Sequence, residues 1–254
     1  MKNSNIAILV VSCDKYSDVW GVFFEAFLKY WPDCTKNIYW GSNYQAFSHE
    51  RVQPLLIGED RDYSSNLINM LNRVKEDWVI MWIEDLILCK PVDDLYVNRI
   101  LSQAIDHNVS YLKLAATYPW SYENSFKGEI FDTLPPNIKY RVGVGLTFWN
   151  KQALLEILRP GESAWDIEKR AGFRSSLTSD IYCAWRADIE NPPFNYINTI
   201  VKGKWNFGVK GFFRSLGFEG IFSKRQRISL KQYAYIKLYL ARLTFFKALR
   251  KYWY

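Results

Sequence analysis

Two adjacent acids, Glu84 and Asp85, end the apolar run Trp78-Val79-Ile80-Met81-Trp82-Ile83. A run of that length and composition predicts a strand buried on both faces, so the acids stand where the chain leaves a sheet. Neighbouring carboxylates are costly to bury unless a cation faces them. A divalent ion, Mg2+ or Mn2+, held by Glu84 and Asp85 would suit them and would also neutralise the phosphates of a departing nucleotide. A second acidic group, Glu162, Asp166 and Glu168, surrounds the start of a helix after the Pro160-Gly161 turn. Asp166 or Glu168 there could take the proton of an attacking hydroxyl. Trp165 would offer a flat surface to a sugar ring, with Glu162 beside it on the acceptor side. The same residues also read as a helix start, with Ser163 as cap and Asp166 complementing the positive end.

In open α/β sheets ligands sit outside the carboxyl ends of the strands, so polar residues directly after apolar runs bear on binding. Ser12-Cys13-Asp14-Lys15-Tyr16 follows the run from Asn5, and Gly58-Glu59-Asp60-Arg61 follows Val52 to Ile57. Ser12, Asp14 and Lys15 are placed to meet a nucleotide, with Asp14 reaching the ribose or base and Tyr16 stacking on the base or packing on the next helix. Lys202-Gly203-Lys204-Trp205 could clamp phosphate oxygens through Lys202 and Lys204, Gly203 letting backbone come close. The chain holds two histidines, His49 and His107, far apart, and no GxSxG, GxGxxG or GxxxxGK[ST]. Zinc, hydrolase, dehydrogenase and P-loop chemistry therefore lose ground.

These residues need elements to hold them. Helical spacing runs through Val19 to Tyr30 until Trp31-Pro32, and strands fit Asn37 to Trp40 and Val52 to Ile57. Ser64 or Ser65 can cap a helix carrying Leu67, Ile68, Leu71 and Val74, and Asp93 or Asp94 a further helix to about Ile105. A strand at Ser110 to Leu114, a long aromatic loop through Pro136 and a strand at Tyr140 to Trp149 follow. Lys151 to Leu158, Ala164 to Ala171 and Ser179 to Arg186 read as helices. Strands alternating with helices predict a mainly parallel α/β sheet.

Hydrophobic residues make up 49% of the 254 and aromatics 17%, enough for a sizeable core. The four cysteines are scattered without CxxC spacing, and Met1-Lys2-Asn3-Ser4-Asn5 lacks a signal-peptide layout, so a cytoplasmic location is expected. The apolar runs are strand-length, short of the roughly 20 residues that cross a bilayer. Net charge is +7, unevenly placed: residues 202–254 hold thirteen Lys or Arg against one acid, Glu219. A catalytic unit over 1–201 and a basic, aromatic-rich helical tail over 202–254 follow, the tail's helix beginning at Ser229. Such a tail points to an anionic membrane surface, with packing on the core as the other reading and nucleic acid not expected. A non-catalytic membrane- or RNA-binding protein is the alternative from a different class.

Together, Ser12-Cys13-Asp14-Lys15-Tyr16 with Trp20, Tyr30-Trp31-Pro32-Asp33, Glu84-Asp85, Gly161 to Glu168 and Gly203-Lys204-Trp205 resemble a bacterial family of surface-polysaccharide glycosyltransferases with a GT-A-like (Rossmann-like) fold. The resemblance implies a hexosyltransferase-like enzyme that moves a sugar from a nucleotide-activated donor to a growing glycan. That glycan would be lipid-linked lipopolysaccharide O-antigen or capsule, at the inner face of the cytoplasmic membrane. It places Glu84-Asp85 where such enzymes carry an Asp-x-Asp metal and donor motif, although Ile83 and Leu86 flank the pair in place of a third acid. Some GT-A-like enzymes work without metal, which would leave Arg61, Lys202 and Lys204 to face the leaving phosphates.

Overall fold

The computed structural model describes residues 5–114, 131–138, 141–185 and 192–238. Its centre is an eight-stranded sheet made of β1 (Ile6–Val11), β2 (Asn37–Ser42), β3 (Val52–Leu56), β4 (Trp78–Ile83), β6 (Val109–Lys113), β7 (Phe131–Thr133), β8 (Thr147–Asn150) and β9 (Ile181–Trp185). The spatial order is β3-β2-β1-β4-β8-β6-β9-β7. Six of these strands run one way. β8 is antiparallel to both β4 and β6, and β7 is antiparallel to β9. The mainly parallel α/β architecture expected from the alternation of elements is the one observed.

Helices cover both faces, so β1, all six of its residues buried, packs alternate side chains into two separate cores. Ile6, Ile8 and Val10 meet α1 (Ser17–Tyr30) and α3 (Asp94–Asp106) on one side. Ala7, Leu9 and Val11 meet α2 (Tyr63–Leu71) and α4 (Lys151–Ile157) on the other. The first core absorbs much of the aromatic excess. Phe23 of α1 lies edge-on to Trp40 at 5.3 Å and to Trp82 at 5.8 Å, and Trp82 meets Phe194 at 5.1 Å. Edge-to-face pairs of this kind are worth about 0.5–1.5 kcal/mol each beyond the area they bury.

Several local expectations are corrected. The α2 cap is Asp62, whose carboxylate accepts from Ser65 N–H at 2.8 Å, rather than Ser64 or Ser65. Asp93 caps α3 as expected, accepting from Tyr96 N–H at 3.0 Å. The segment Ser179 to Arg186, expected as a helix, instead forms β9 at Ile181–Trp185, because pairing with β6 and β7 on either side outweighs its helical spacing. The strand expected from Tyr140 begins only at Thr147, since Gly143 N–H is held by Tyr111 Oη and Arg141 turns inward onto Leu134 O and Ser175 O. Residues 139–140, most of the aromatic loop before Pro136 (115–130) and Arg186 lie outside the described residues.

Two small antiparallel pairs were not foreseen: β5 (Leu86–Leu88) with β10 (Tyr196–Asn198), and the hairpin β11 (Ile200–Val201) with β12 (Lys204–Trp205). Residue 201, the expected boundary, lies in that hairpin. Beyond it, Trp205 and then Val209 and Phe213 of a short helix (Val209–Ser215) are buried in the α1-side core. Ser229 starts the last described helix (230–238) as expected, its Oγ accepting from Gln232 N–H while Gln232 Oε1 accepts from Ser229 N–H. That helix is largely exposed, and its expected continuation to Tyr254 lies outside the described residues.

Candidate active site

The chain order reverses between β1 and β4. From β1 the sheet grows outward through β2 and β3, and then returns to β1's other side with β4. Such a switch point opens a crevice at the carboxyl edge. Val11 pairs with Ile83 across it, so Ser12 and Glu84 emerge side by side. Ser12 Oγ accepts from Trp20 Nε1 of α1 at 2.8 Å and also bonds to Glu84.

The Glu84-Asp85 turn is pinned from both sides. Trp82 Nε1 donates to Leu86 O at 2.7 Å, and Asp85 O accepts from Thr199 N–H at 2.8 Å and Thr199 Oγ1 at 3.0 Å. Glu84 is 8% exposed. Burial, reinforced by the charge of Asp85, pushes its carboxyl up to about 8, and burial pushes Asp85 up to about 6. Asp85 Oδ1 is shut off from solvent without a hydrogen-bond partner.

Above the pair lies a cleft of about 790 Å³. Ser12, Cys13 and Tyr16 form one wall, and Asp60, Tyr63 and Asn66 another. Trp165 and Glu168 close a third side, and Asn198 with Lys202 and Gly203 of the β11–β12 turn the fourth. Lys202 and Gly203 both have positive φ, 51° and 74°, the backbone that a two-residue hairpin turn demands.

Of the two candidate bases, Glu168 reaches the cleft. After a short helical turn α5 (Ala164–Asp166), the backbone widens into a π-helical stretch over Ile167–Ala171 before α6 (Gly172–Arg174). Such widenings re-aim side chains and recur at functional sites. Burial raises the Glu168 carboxyl above its ordinary value, against the opposing charge of Lys113 and a hydrogen bond from Val144 N–H. Asp166 instead closes a capping box, accepting from Ser163 Oγ at 2.6 Å and lying 3.6 Å from Arg170. The Ser163 bonds pull its pKa down, and it does not line the cleft.

The remaining expected residues divide in the same way. Trp165 is 71% exposed at the rim, whereas Glu162 is buried in a two-pronged bond to Arg174 at 2.8 and 2.5 Å. Asp14 lies beside the cleft and organises the loop after β2, accepting from the N–H groups of Asn43, Tyr44 and Gln45 at 3.0, 3.0 and 3.2 Å. Lys15 opens onto a smaller neighbouring depression with Lys224 and Arg225. Arg61 is exposed, 3.9 Å from Glu59, and neither it nor Lys204 lines the main cleft.

Three further residues at the site carry no mark in the sequence pattern. Lys113, at the end of β6, faces Glu168, and burial lowers its pKa. Tyr63, just after the α2 cap, joins the cleft wall beside the acids. Arg225 bonds Asp18 in the first turn of α1 at 2.6 Å through two nitrogens, donates to Lys15 O at 2.8 Å, and stacks over Tyr16 at 4.5 Å. Its charge also lowers the Glu84 and Asp85 pKa values against burial. The sequence shows Arg225 only as one of a polybasic run, with nothing to single it out.

No family model and no curated protein matches the chain. Among solved structures it is similar to S. aureus TarS 1-349, with 9% identity and a TM-score of 0.46 over 90% of this chain and 68% of that one. It is also similar to TarS 1-349 in complex with UDP-GlcNAc, at 10% identity and TM-score 0.44 over 85% and 66% of the two chains. A cytidylyltransferase from Leptospira borgpetersenii aligns at 8% identity and TM-score 0.45, over 77% of this chain and 82% of its own. Likenesses this distant carry no argument about substrate, which rests on the site itself.

Proposed function

We propose that the chain is a glycosyltransferase of GT-A type, moving a sugar from a nucleotide-activated donor to a growing glycan. The observation that carries this reading is the buried pair Glu84-Asp85 at the switch point of the sheet, with Glu168 facing the same cleft. The nucleotide would lie along the Ser12–Tyr16 wall with its diphosphate toward Glu84-Asp85 and Lys202. Glu168 would take the proton of the acceptor hydroxyl as it attacks the anomeric carbon, burial having made its carboxylate a stronger base than an exposed one. Trp165, exposed at the rim, would carry the acceptor ring.

The residues present fit a divalent cation. Asp85 Oδ1 is a buried carboxylate oxygen with no partner, beside a second carboxylate. Among the described residues no group of three His, Cys, Asp or Glu converges, so Asp85 and Glu84 would hold Mg2+ or Mn2+ jointly with donor phosphates and water. When bound, the ion would supply positive charge to the departing diphosphate.

For the acceptor we favour a lipid-linked surface glycan, lipopolysaccharide O-antigen or capsule, met at the inner face of the cytoplasmic membrane. Support comes from the exposed helix 230–238, where Leu230, Tyr235 and Leu238 are 68–71% exposed among Lys231 and Lys237. Among the described residues no helix is long and apolar enough to cross a membrane. Side chains of this mixture lodge at an anionic surface instead. The purified chain should pellet with phosphatidylglycerol-containing vesicles and lose that binding in salt; indifference to lipid charge contradicts the membrane proposal. For the transferase itself, a panel of nucleotide sugars should reveal binding and slow donor hydrolysis that Asp85→Ala abolishes. No binding to any donor, together with unchanged cellular glycans in Asp85→Ala, contradicts it.

A further inference from the structure

Tyr63 lines the cleft, and its hydroxyl is fully shut off from solvent with no hydrogen-bond partner. A buried hydroxyl without a partner costs about 1–3 kcal/mol, and such exceptions call for an explanation. The position is a designed one. Asp62 caps α2 through Ser65 N–H and Ser65 Oγ, fixing the first turn, and Ser64 N–H is bonded to Glu162 O in the segment before α5. Tyr63 is held between these two anchors on a cleft that Glu84, Asp85 and Glu168 also line. A second unpartnered atom, Asp85 Oδ1, lies in the same quarter.

We propose that Tyr63 is a substrate-contacting residue whose hydroxyl donates to a ring hydroxyl of a neutral sugar held between α2, Glu84-Asp85 and Glu168. Chemistry selects that class. A phenol keeps its proton at neutral pH, so the hydroxyl is a donor. Its partner is an acceptor that tolerates neighbouring negative charge, and a sugar hydroxyl does so while donating in turn to a carboxylate. The diphosphate is assigned to the Lys202 side of the cleft, which leaves this corner to the sugar. The inference rests on the transferase reading and assigns the sugar-binding end of its cleft.

Tyr63→Phe removes the oxygen and leaves the ring. Two readouts on the whole chain test the proposal. In the first, thermal unfolding without ligand, the midpoint stays level or rises, because an unpartnered buried hydroxyl is lost. A fall of about 2–4 °C, the size expected for losing a made hydrogen bond in a chain of this length, overturns the proposal by showing that the hydroxyl is satisfied within the protein. In the second, calorimetric titration compares UDP with UDP-glucose and UDP-N-acetylglucosamine, GDP with GDP-mannose, and dTDP with dTDP-glucose. For the pair that wild type binds, the variant keeps the affinity for the free nucleotide and loses about 3- to 10-fold for the sugar-bearing one. Equal losses for both, or no loss for either, overturn the sugar contact while leaving the transferase reading in place. Failure of wild type to bind any of the nucleotides contradicts that reading and this inference with it.

Discussion

Glu168 and Asp166 stand two residues apart, and the spacing in sequence offers no means of choosing between them. The choice is made by hydrogen bonds. Asp166 closes its own helix start with Ser163, while the π-helical widening after it carries Glu168 to the cleft. Glu168→Gln should lower turnover by roughly 10²–10⁴-fold with donor affinity retained, measured as kcat against Kd; Asp166→Asn should cost stability and leave turnover close to wild type. A comparable loss of turnover in Asp166→Asn would reverse that assignment. Glu84 supplies a pH test. In the folded chain its carboxyl is pushed up to about 8, above the roughly 4.3 of an unfolded chain, so the folded state holds the proton more tightly. Its contribution to stability is full below the unfolded value and is lost as pH rises through about 8. In EDTA the unfolding midpoint of wild type should therefore fall more steeply between pH 5 and 8 than that of Glu84→Gln, as followed by circular dichroism; parallel profiles would contradict the buried placement. Glu84-Asp85 was legible in the sequence because an apolar run ended in charge. Tyr63 and Lys113 were not, since their proximity to the acids comes from separate strands and helices.

At the scale of elements, continuous apolar runs and caps were readable: β1, β2, β3, β4, β6 and the helices α1 to α4 fall close to where period and punctuation put them. β9 differs from the expected helix because five residues that pack between two strands carry no local mark distinguishing them from a short buried helix. The short pairs β5–β10 and β11–β12 join segments about a hundred residues apart or turn through positive-φ residues, and composition alone does not reveal them. The cap at Asp62 has a measurable consequence because Tyr63 follows it directly. Asp62→Ala should reduce stability by about 1 kcal/mol in urea unfolding and weaken sugar-donor binding along with it, through loosening of the first turn of α2. Stability lost with donor binding intact would separate α2 from the site.

At the scale of the molecule, the basic stretch from 202 onward divides. Its first part, through Ile228, is built onto the body, with Trp205, Val209 and Phe213 in the α1-side core and Arg225 fastened to Asp18. The charge count of the sequence shows the asymmetry but not which cations are bound internally. Both side chains of the Arg225–Asp18 pair are 12% exposed, so removing one leaves a largely buried charge unpaired. Arg225→Ala should destabilise by about 2–4 kcal/mol and Arg225→Lys by a large part of that, because lysine cannot make the two-pronged bond, as read from chemical unfolding. A loss below about 0.5 kcal/mol would show the clamp to be an ordinary surface pair.

Titration of nucleotide sugars into wild type and Asp85→Asn, with and without Mn2+, tests a donor site at Glu84-Asp85 most sharply. Wild type should bind donor more tightly with Mn2+, and Asp85→Asn should lose that strengthening, because its amide supplies no carboxylate to the ion. Equal binding by the two proteins, insensitive to the ion, would contradict a donor site centred on Glu84-Asp85.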